Sequence, residues 1–288
     1  MVRLRLDGPD GEVSLTFTGD LGRQGLPFLR DAEAIPGSDV LICESTYGGR
    51  EHQCVEEMAT TVREAVTRSA NDRGVVLIPA FSLGRMQLVV HYLQRWMDEG
   101  TIPSLPIYVD SPQAADIAEI YDEYPEHLVP AAMSSPSKVS YIRERDESDD
   151  LVERSKPCII LASGGMCEGG RIVKHLRRRV DDPRASLLLV SYQAPDSLGR
   201  QMMDKSPTVR FHGRTWSKWI DVVELNGFSG HADQNEFVTG LSPLVDRIKK
   251  VRLVHGDLEQ SRALAERLAG VGFRDVDIPA KADTTTIE

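Results

Sequence analysis

Short apolar runs alternate with amphipathic stretches through most of this chain. The runs Val13–Phe17, Val40–Cys43, Val75–Ile78, Ile107–Val109, Cys158–Leu161, Leu187–Val190, Val222–Leu225 and Val251–Val254 predict strands. Between them, helical patterns cover Val55–Ser69, Arg85–Asp98, Gln113–Tyr121, Gly170–Arg179 and Glu259–Ala269. Continuous apolar strands interleaved with amphipathic helices predict an α/β protein with a mostly parallel sheet covered on both faces. The charged segment from Arg143 to Lys156 reads as an exposed helix or connection, and Asp283 to Glu288 as a frayed tail. Residues 50–215 look like a self-sufficient α/β unit. The flanking pieces, 1–49 and 216–288, are individually small and make sense as two parts of a second domain into which the middle unit is inserted.

Several strand ends carry chemistry. Gly19-Asp20 and Glu44 follow two of the predicted strands. His231, in Phe228-Ser229-Gly230-His231-Ala232-Asp233, and His255, in Val254-His255-Gly256-Asp257, follow two others. Two carboxylates and two imidazoles at one rim of a sheet suggest a metal-assisted hydrolase. Taken alone, Gly19-Asp20 is more commonly a helix or turn cap, and His255 could be a turn histidine. Glu44, at a buried strand end, needs a partner, and a histidine is a natural one. A carboxylate that orients an imidazole and raises its pKa produces a general acid for a leaving alkoxide, with His231 the candidate in a turn before a helix starting near Asp233.

The middle unit offers two strand–loop–helix turns suited to anions. Ser82 and Arg85 lie in Pro79-Ala80-Phe81-Ser82-Leu83-Gly84-Arg85; Ser163, Gly164, Gly165 and Arg171 lie in the glycine-rich loop from Ser163 to Arg171. The second loop has P-loop spacing from Gly165 to Gly170, but Arg171 and Ile172 replace the required Lys and Ser/Thr. Both sets of glycines could simply serve tight turns. The basic run Arg171 to Arg179 is either a groove for polyanions or a solvated helix face. The formal net charge of -10 excludes a protein that coats nucleic acid through overall charge, though not a local groove. The four cysteines form no C-x-x-C pair, so a structural zinc site or disulfide framework is not expected. No apolar stretch reaches the ~18 residues of a membrane span, and the start has no apolar signal core, so a cytoplasmic protein away from membranes is expected.

Taken in order, Phe17-Thr18-Gly19-Asp20, Glu44-Ser45-Thr46-Tyr47-Gly48, Pro79–Arg85, Ser163-Gly164-Gly165-Met166, Ser191-Tyr192-Gln193, Gly227–Asp233 and Val254-His255-Gly256 resemble the metallo-β-lactamase-fold nucleases that carry an inserted β-CASP domain. The resemblance implies a partial metallo-β-lactamase αββα sandwich with a β-CASP doubly wound parallel-sheet domain inserted in it. It implies a zinc-dependent ribonuclease with two zinc ions per intact site, acting on single-stranded RNA and often dimeric. Asp20 matches the metal-bridging aspartate, His255 a metal ligand, His231 the catalytic histidine and Glu44 the acid that orients it. The family's H-x-H-x-D-H motif is absent: no two of the seven histidines form an H-x-H. The chain therefore resembles a member lacking roughly its first half-domain, which would leave an apolar face exposed and the outer pieces marginal in stability. Two further readings stand beside the nuclease: a non-catalytic RNA-binding or complex-forming module of the same lineage, and an unrelated phosphohydrolase using Asp110 as its acid.

Overall fold

The computed structural model describes residues 1–8, 11–28, 30–128 and 139–284, so most of the expected frayed tail lies outside the described residues. The chain forms two compact units. Unit 1 comprises Met1–Leu26, Arg30–His52 and Gly230–Glu288, and unit 2 comprises Pro27–Leu29 and Gln53–Ser229. Unit 1 opens with β1 (Val2–Gly8), β2 (Gly11–Phe17) and β3 (Ser38–Glu44). Unit 2 follows with α1 (Val55–Asn71), β4 (Val75–Ala80), α2 (Arg85–Asp98), β5 (Ile107–Asp110), α3 (Pro112–Glu123), β6 (Val139–Ile142) and α4 (Arg145–Val152). It continues through β7 (Cys158–Ser163), α5 (Ile172–Arg179), β8 (Ser186–Leu189), α6 (Leu198–Met203), β9 (Thr208–Phe211), β10 (Arg214–Ser217) and β11 (Asp221–Glu224). Unit 1 resumes with α7 (Gln234–Leu241), β12 (Ile248–Val254), α8 (Leu258–Gly270) and β13 (Val276–Asp277).

In unit 2 the six strands run in the order β11-β8-β4-β7-β5-β6, and every neighbouring pair is parallel. Parallel sheets need both faces covered, which is why β4 and β8 read as unbroken apolar runs; all six residues of β4 are buried. Alternate residues of β4, β7 and β8 (Leu77, Ile160 and Leu187) pack against Ile172, Val173 and Leu176 of α5. The strand at Asp221–Glu224 pairs with β8. It therefore belongs to this sheet, not to the sheet that carries His255, and the change of unit falls after Ser229.

Unit 1 holds a five-stranded sheet, β1-β2-β3-β12-β13, with β1–β2 antiparallel and the other pairs parallel. One face buries Leu41, Cys43, Val251 and Leu253 under Phe237 and Leu241 of α7 and Leu264 and Leu268 of α8. The other face presents Val2, Leu4, Leu6 and Phe17, all exposed. Among the described residues, the helices of this unit pack on the first of these faces.

Asp110 ends β5 wholly buried. It accepts hydrogen bonds from His175 Nε2 at 2.8 Å, Arg171 Nη1 at 2.7 Å and Ser148 Oγ at 2.8 Å. Burial pushes its carboxyl up, but these three donors outweigh it and hold it below the ordinary value. Burial likewise lowers His175, against the pull of Asp110. Neutral His175 thus donates from Nε2 to an ionised Asp110. An aspartate so enclosed has no face for substrate, so the Asp110 phosphohydrolase reading is set aside.

Three outcomes are expected. Amides of β4 should exchange hydrogen at least about tenfold more slowly than those of β1, which is exposed along its length; equal rates would contradict this. Asp110→Ala should destabilise unit 2 by about 2–4 kcal/mol, read in urea unfolding at neutral pH, because it leaves buried His175 and half-buried Arg171 without their shared acceptor. In the wild type, His175 has a depressed pKa, so the unfolded chain takes up its proton first. Stability should therefore fall as the pH drops below about 6.5, and again, through Asp110, below about 4.

Candidate active site

Strands β2, β3 and β12 are mutually parallel, so their carboxyl ends meet at one rim of unit 1. Val254 pairs with Glu44, and His255 follows directly; Thr18 N–H extends the ladder by donating to Ile42 O at 3.0 Å, two residues before Asp20. His231 reaches the same rim by another route. Gly22 and His231 form a single antiparallel bridge, while Ala232 N–H donates to Leu21 O at 2.8 Å. Asp233 then caps α7 in a capping box with Glu236, so the turn holding His231 is fixed on both sides.

Glu44 is buried and His231 Nδ1 lies 2.9 Å from its Oε1. The N–H groups of Leu21 and Thr46 donate to its two oxygens at 2.7 and 3.2 Å. Burial pushes this carboxyl up, yet the bonds from His231 and Thr46 outweigh it and keep it below its ordinary value. An ionised Glu44 requires the proton on His231 Nδ1 and leaves Nε2 as the atom for proton transfer. His52, which the sequence reading passed over, stands 2.9 Å from the His231 carbonyl oxygen through its Nε2, and its ring lies 4.8 Å from that of Tyr47.

Asp20 and His255 are exposed, and Asp20 Oδ1 lies 3.4 Å from His255 Nδ1. Two ligand atoms of one tetrahedral zinc, at bond lengths of about 2.0–2.1 Å, are about 3.3 Å apart. Asp20, Glu44 and His231 also offer one donor atom each within 4.8 Å of one another. Glu44 is already engaged by three donors, so Asp20 and His255 are the residues here that fit zinc. His255 holds a left-handed backbone at φ 54°, and Thr46 Oγ1 anchors its carbonyl at 2.8 Å.

Comparison with known proteins bears on this geometry. Residues 86–202 match the Beta-Casp domain, and residues 220–279 match the Zn-dependent metallo-hydrolase RNA specificity domain. The middle of the chain is a β-CASP domain. It is 32% identical over 265 residues to ribonuclease TTHA0252 of Thermus thermophilus, covering 89% of this chain and 60% of that protein. It is 32% identical over 274 residues to the transcription termination factor FttA of Pyrococcus abyssi, covering 89% of this chain and 42% of that protein. The chain thus spans about half the length of the curated relatives it matches.

In unit 2, Ala80 pairs with Ser163, which brings the loops bearing Ser82, Arg85, Ser163, Gly164 and Gly165 to one rim. Several of their groups are already engaged. Ser82 Oγ bonds Ser111 Oγ at 3.0 Å, Arg85 Nη1 donates to Val190 O, and Ser163 Oγ accepts from Arg171 N–H at 3.3 Å. Gly164, at φ 109°, is required for loop closure, since a Cβ there would meet Gly169 O at 1.9 Å. Arg171 points inward, donating to Asp110, to Ile142 O at 3.1 Å and to Arg143 O at 2.7 Å. Its guanidinium is a strut between strand ends, not an open phosphate clamp. Two outward cations of α5 are balanced likewise: Lys174 pairs with Asp149 and Arg178 with Glu153 of the α4 region. Among the described residues, no helix is long and apolar enough to cross a membrane.

The strained backbone of His255 can be tested by itself. His255→Gly should be more stable than His255→Ala by about 1 kcal/mol in thermal unfolding, since only glycine adopts this conformation without cost; equal stability would show that no strain is held there.

Proposed function

We propose that this chain works in zinc-dependent hydrolysis of RNA phosphodiester bonds, with His231 as general acid and Glu44 as its orienting base. The Glu44–His231 contact of 2.9 Å, beside Asp20 and His255, carries the reading. Asp20 and His255 would hold zinc, which when bound polarises the phosphate and activates water. His231 Nε2 would pass its proton to the leaving ribose oxygen, while Glu44 stabilises the imidazolium from Nδ1 and fixes the ring's direction. The buried Glu44 charge resists rotation because it is also bonded to Leu21 and Thr46. Unit 1 is read as metallo-β-lactamase-type and unit 2 as the β-CASP insertion. The loops holding Ser82, Arg85, Ser163, Gly164 and Gly165 are read as the strand-end surface that meets single-stranded RNA, and Arg171 as a residue that shapes it.

A second reading, an RNA-binding module of the same lineage without catalysis, is favoured by the ligand count. A zinc site normally takes about three protein ligands, and two are placed here. Metal content measured with cleavage of labelled single-stranded RNA separates the two. The hydrolase reading expects bound zinc and cleavage, with His231→Ala slowing cleavage by about 10²–10⁴-fold and leaving RNA affinity intact. Tight RNA binding with neither zinc nor cleavage would establish the binding module.

A further inference from the structure

The six-stranded sheet of unit 2 has a switch point between two adjacent strands. From β4 the chain crosses through α2 to β5 on one side, and from β7 it crosses through α5 to β8 on the other. Right-handed crossovers in opposite directions put α2 and α5 on opposite faces. The loops after β4 and β7 therefore part at their carboxyl ends, where open α/β sheets take ligands.

Three loops converge there. Phe81, after β4, is 50% exposed, and Leu83 beside it is 66% exposed. Beneath the ring lies Gly165, after β7; a Cβ on it would stand 3.2 Å from Phe81 Cδ2 and Cε2 and 3.2 Å from Ser191 Oγ, after β8. Gln193 Nε2 clamps this floor, donating to Gly165 O at 2.9 Å and Ser191 O at 2.7 Å. Ser191 is itself buried, and its hydroxyl has no hydrogen-bond partner. The aromatic ring is thus half open to solvent above a rigid floor, while Arg171 and Ser82 nearby are engaged within the protein.

We propose that Phe81 is a stacking platform for one nucleobase of single-stranded RNA, a subsite resting on the RNA reading above. Two exposed apolar side chains fall far short of the ~1,000 Å² of a stable protein interface, and an isolated anion has no use for an aromatic ring. A base presents a π-face, and stacking on an aromatic side chain is worth most of a tenfold in affinity or more.

The test is fluorescence anisotropy with labelled oligoadenylate and a matched abasic strand, using the full chain. Phe81→Ala and Phe81→Leu should each weaken oligoadenylate binding about tenfold, and Phe81→Trp should stay within about twofold of the wild type. The leucine variant keeps an apolar contact on Gly165, so its loss reports the π-face and not the fold. The salt dependence should not change, because no phosphate contact is removed, and the abasic strand should bind all variants alike. If the wild type binds oligoadenylate and Phe81→Ala and Phe81→Leu bind it equally well, the stacking site is wrong while the RNA reading stands. If the wild type does not bind it, the RNA reading falls and the subsite with it.

Discussion

A single buried charge organises unit 1. Ionised Glu44 sits in a protein interior, where an unpaired carboxylate would cost several kcal/mol. Its hydrogen bonds come from three separate stretches of chain: Leu21 after β2, Thr46 after β3 and His231 before α7. Satisfying that carboxylate therefore draws together segments far apart in sequence. The bridge from Gly22 to His231 and the capping box at Asp233 lock the same turn from its other side. Orientation of the imidazole is a consequence of solving the burial problem, so the stability of the turn and the direction of the ring depend on one interaction.

Parallel pairing does the rest. Because β2, β3 and β12 run the same way, residues that follow their last apolar positions must emerge at one edge, and this made Asp20, Glu44 and His255 legible as a group. His231 was legible as a residue but not by its route, since the apolar run at 222–225 pairs with β8 in the other sheet. Periodicity shows that a segment is a strand and says nothing about which edge it joins. The same limit hid β1, whose alternating Val2, Leu4 and Leu6 are exposed. It also hid the four-residue strands β9 and β10, which lack the continuous apolar runs that mark the equally short β5, β8 and β11.

The run from Arg171 to Arg179 shows what residue counting misses and spacing contains. Arg171, His175 and Arg179 recur every fourth position and so share one helix face. That face turns inward: His175 and Arg171 meet Asp110, and Arg179 donates to the carbonyls of Leu151 and Arg154. Lys174 and Arg178 lie between them in sequence, point outward and are met by acidic partners. A dense basic stretch thus resolves into an internal brace, held by Asp110 and main-chain carbonyls, and an outward face on which Lys174 and Arg178 are paired.

This distribution bears on how an acidic chain could meet a polyanion. With a net charge of -10, long-range attraction to RNA is unavailable, so contact must come from local features. In unit 2 the cations nearest the switch point, Arg85 and Arg171, are spent on main-chain carbonyls and on Asp110. They rigidify the loop ends without projecting charge. What the rim still offers outward is an aromatic ring on a fixed glycine floor and the backbone of loops that cannot relax. A stacking surface of this kind would recognise the flatness of an unpaired base without regard to which base it holds. It therefore suits engagement of single strands over reading of a sequence.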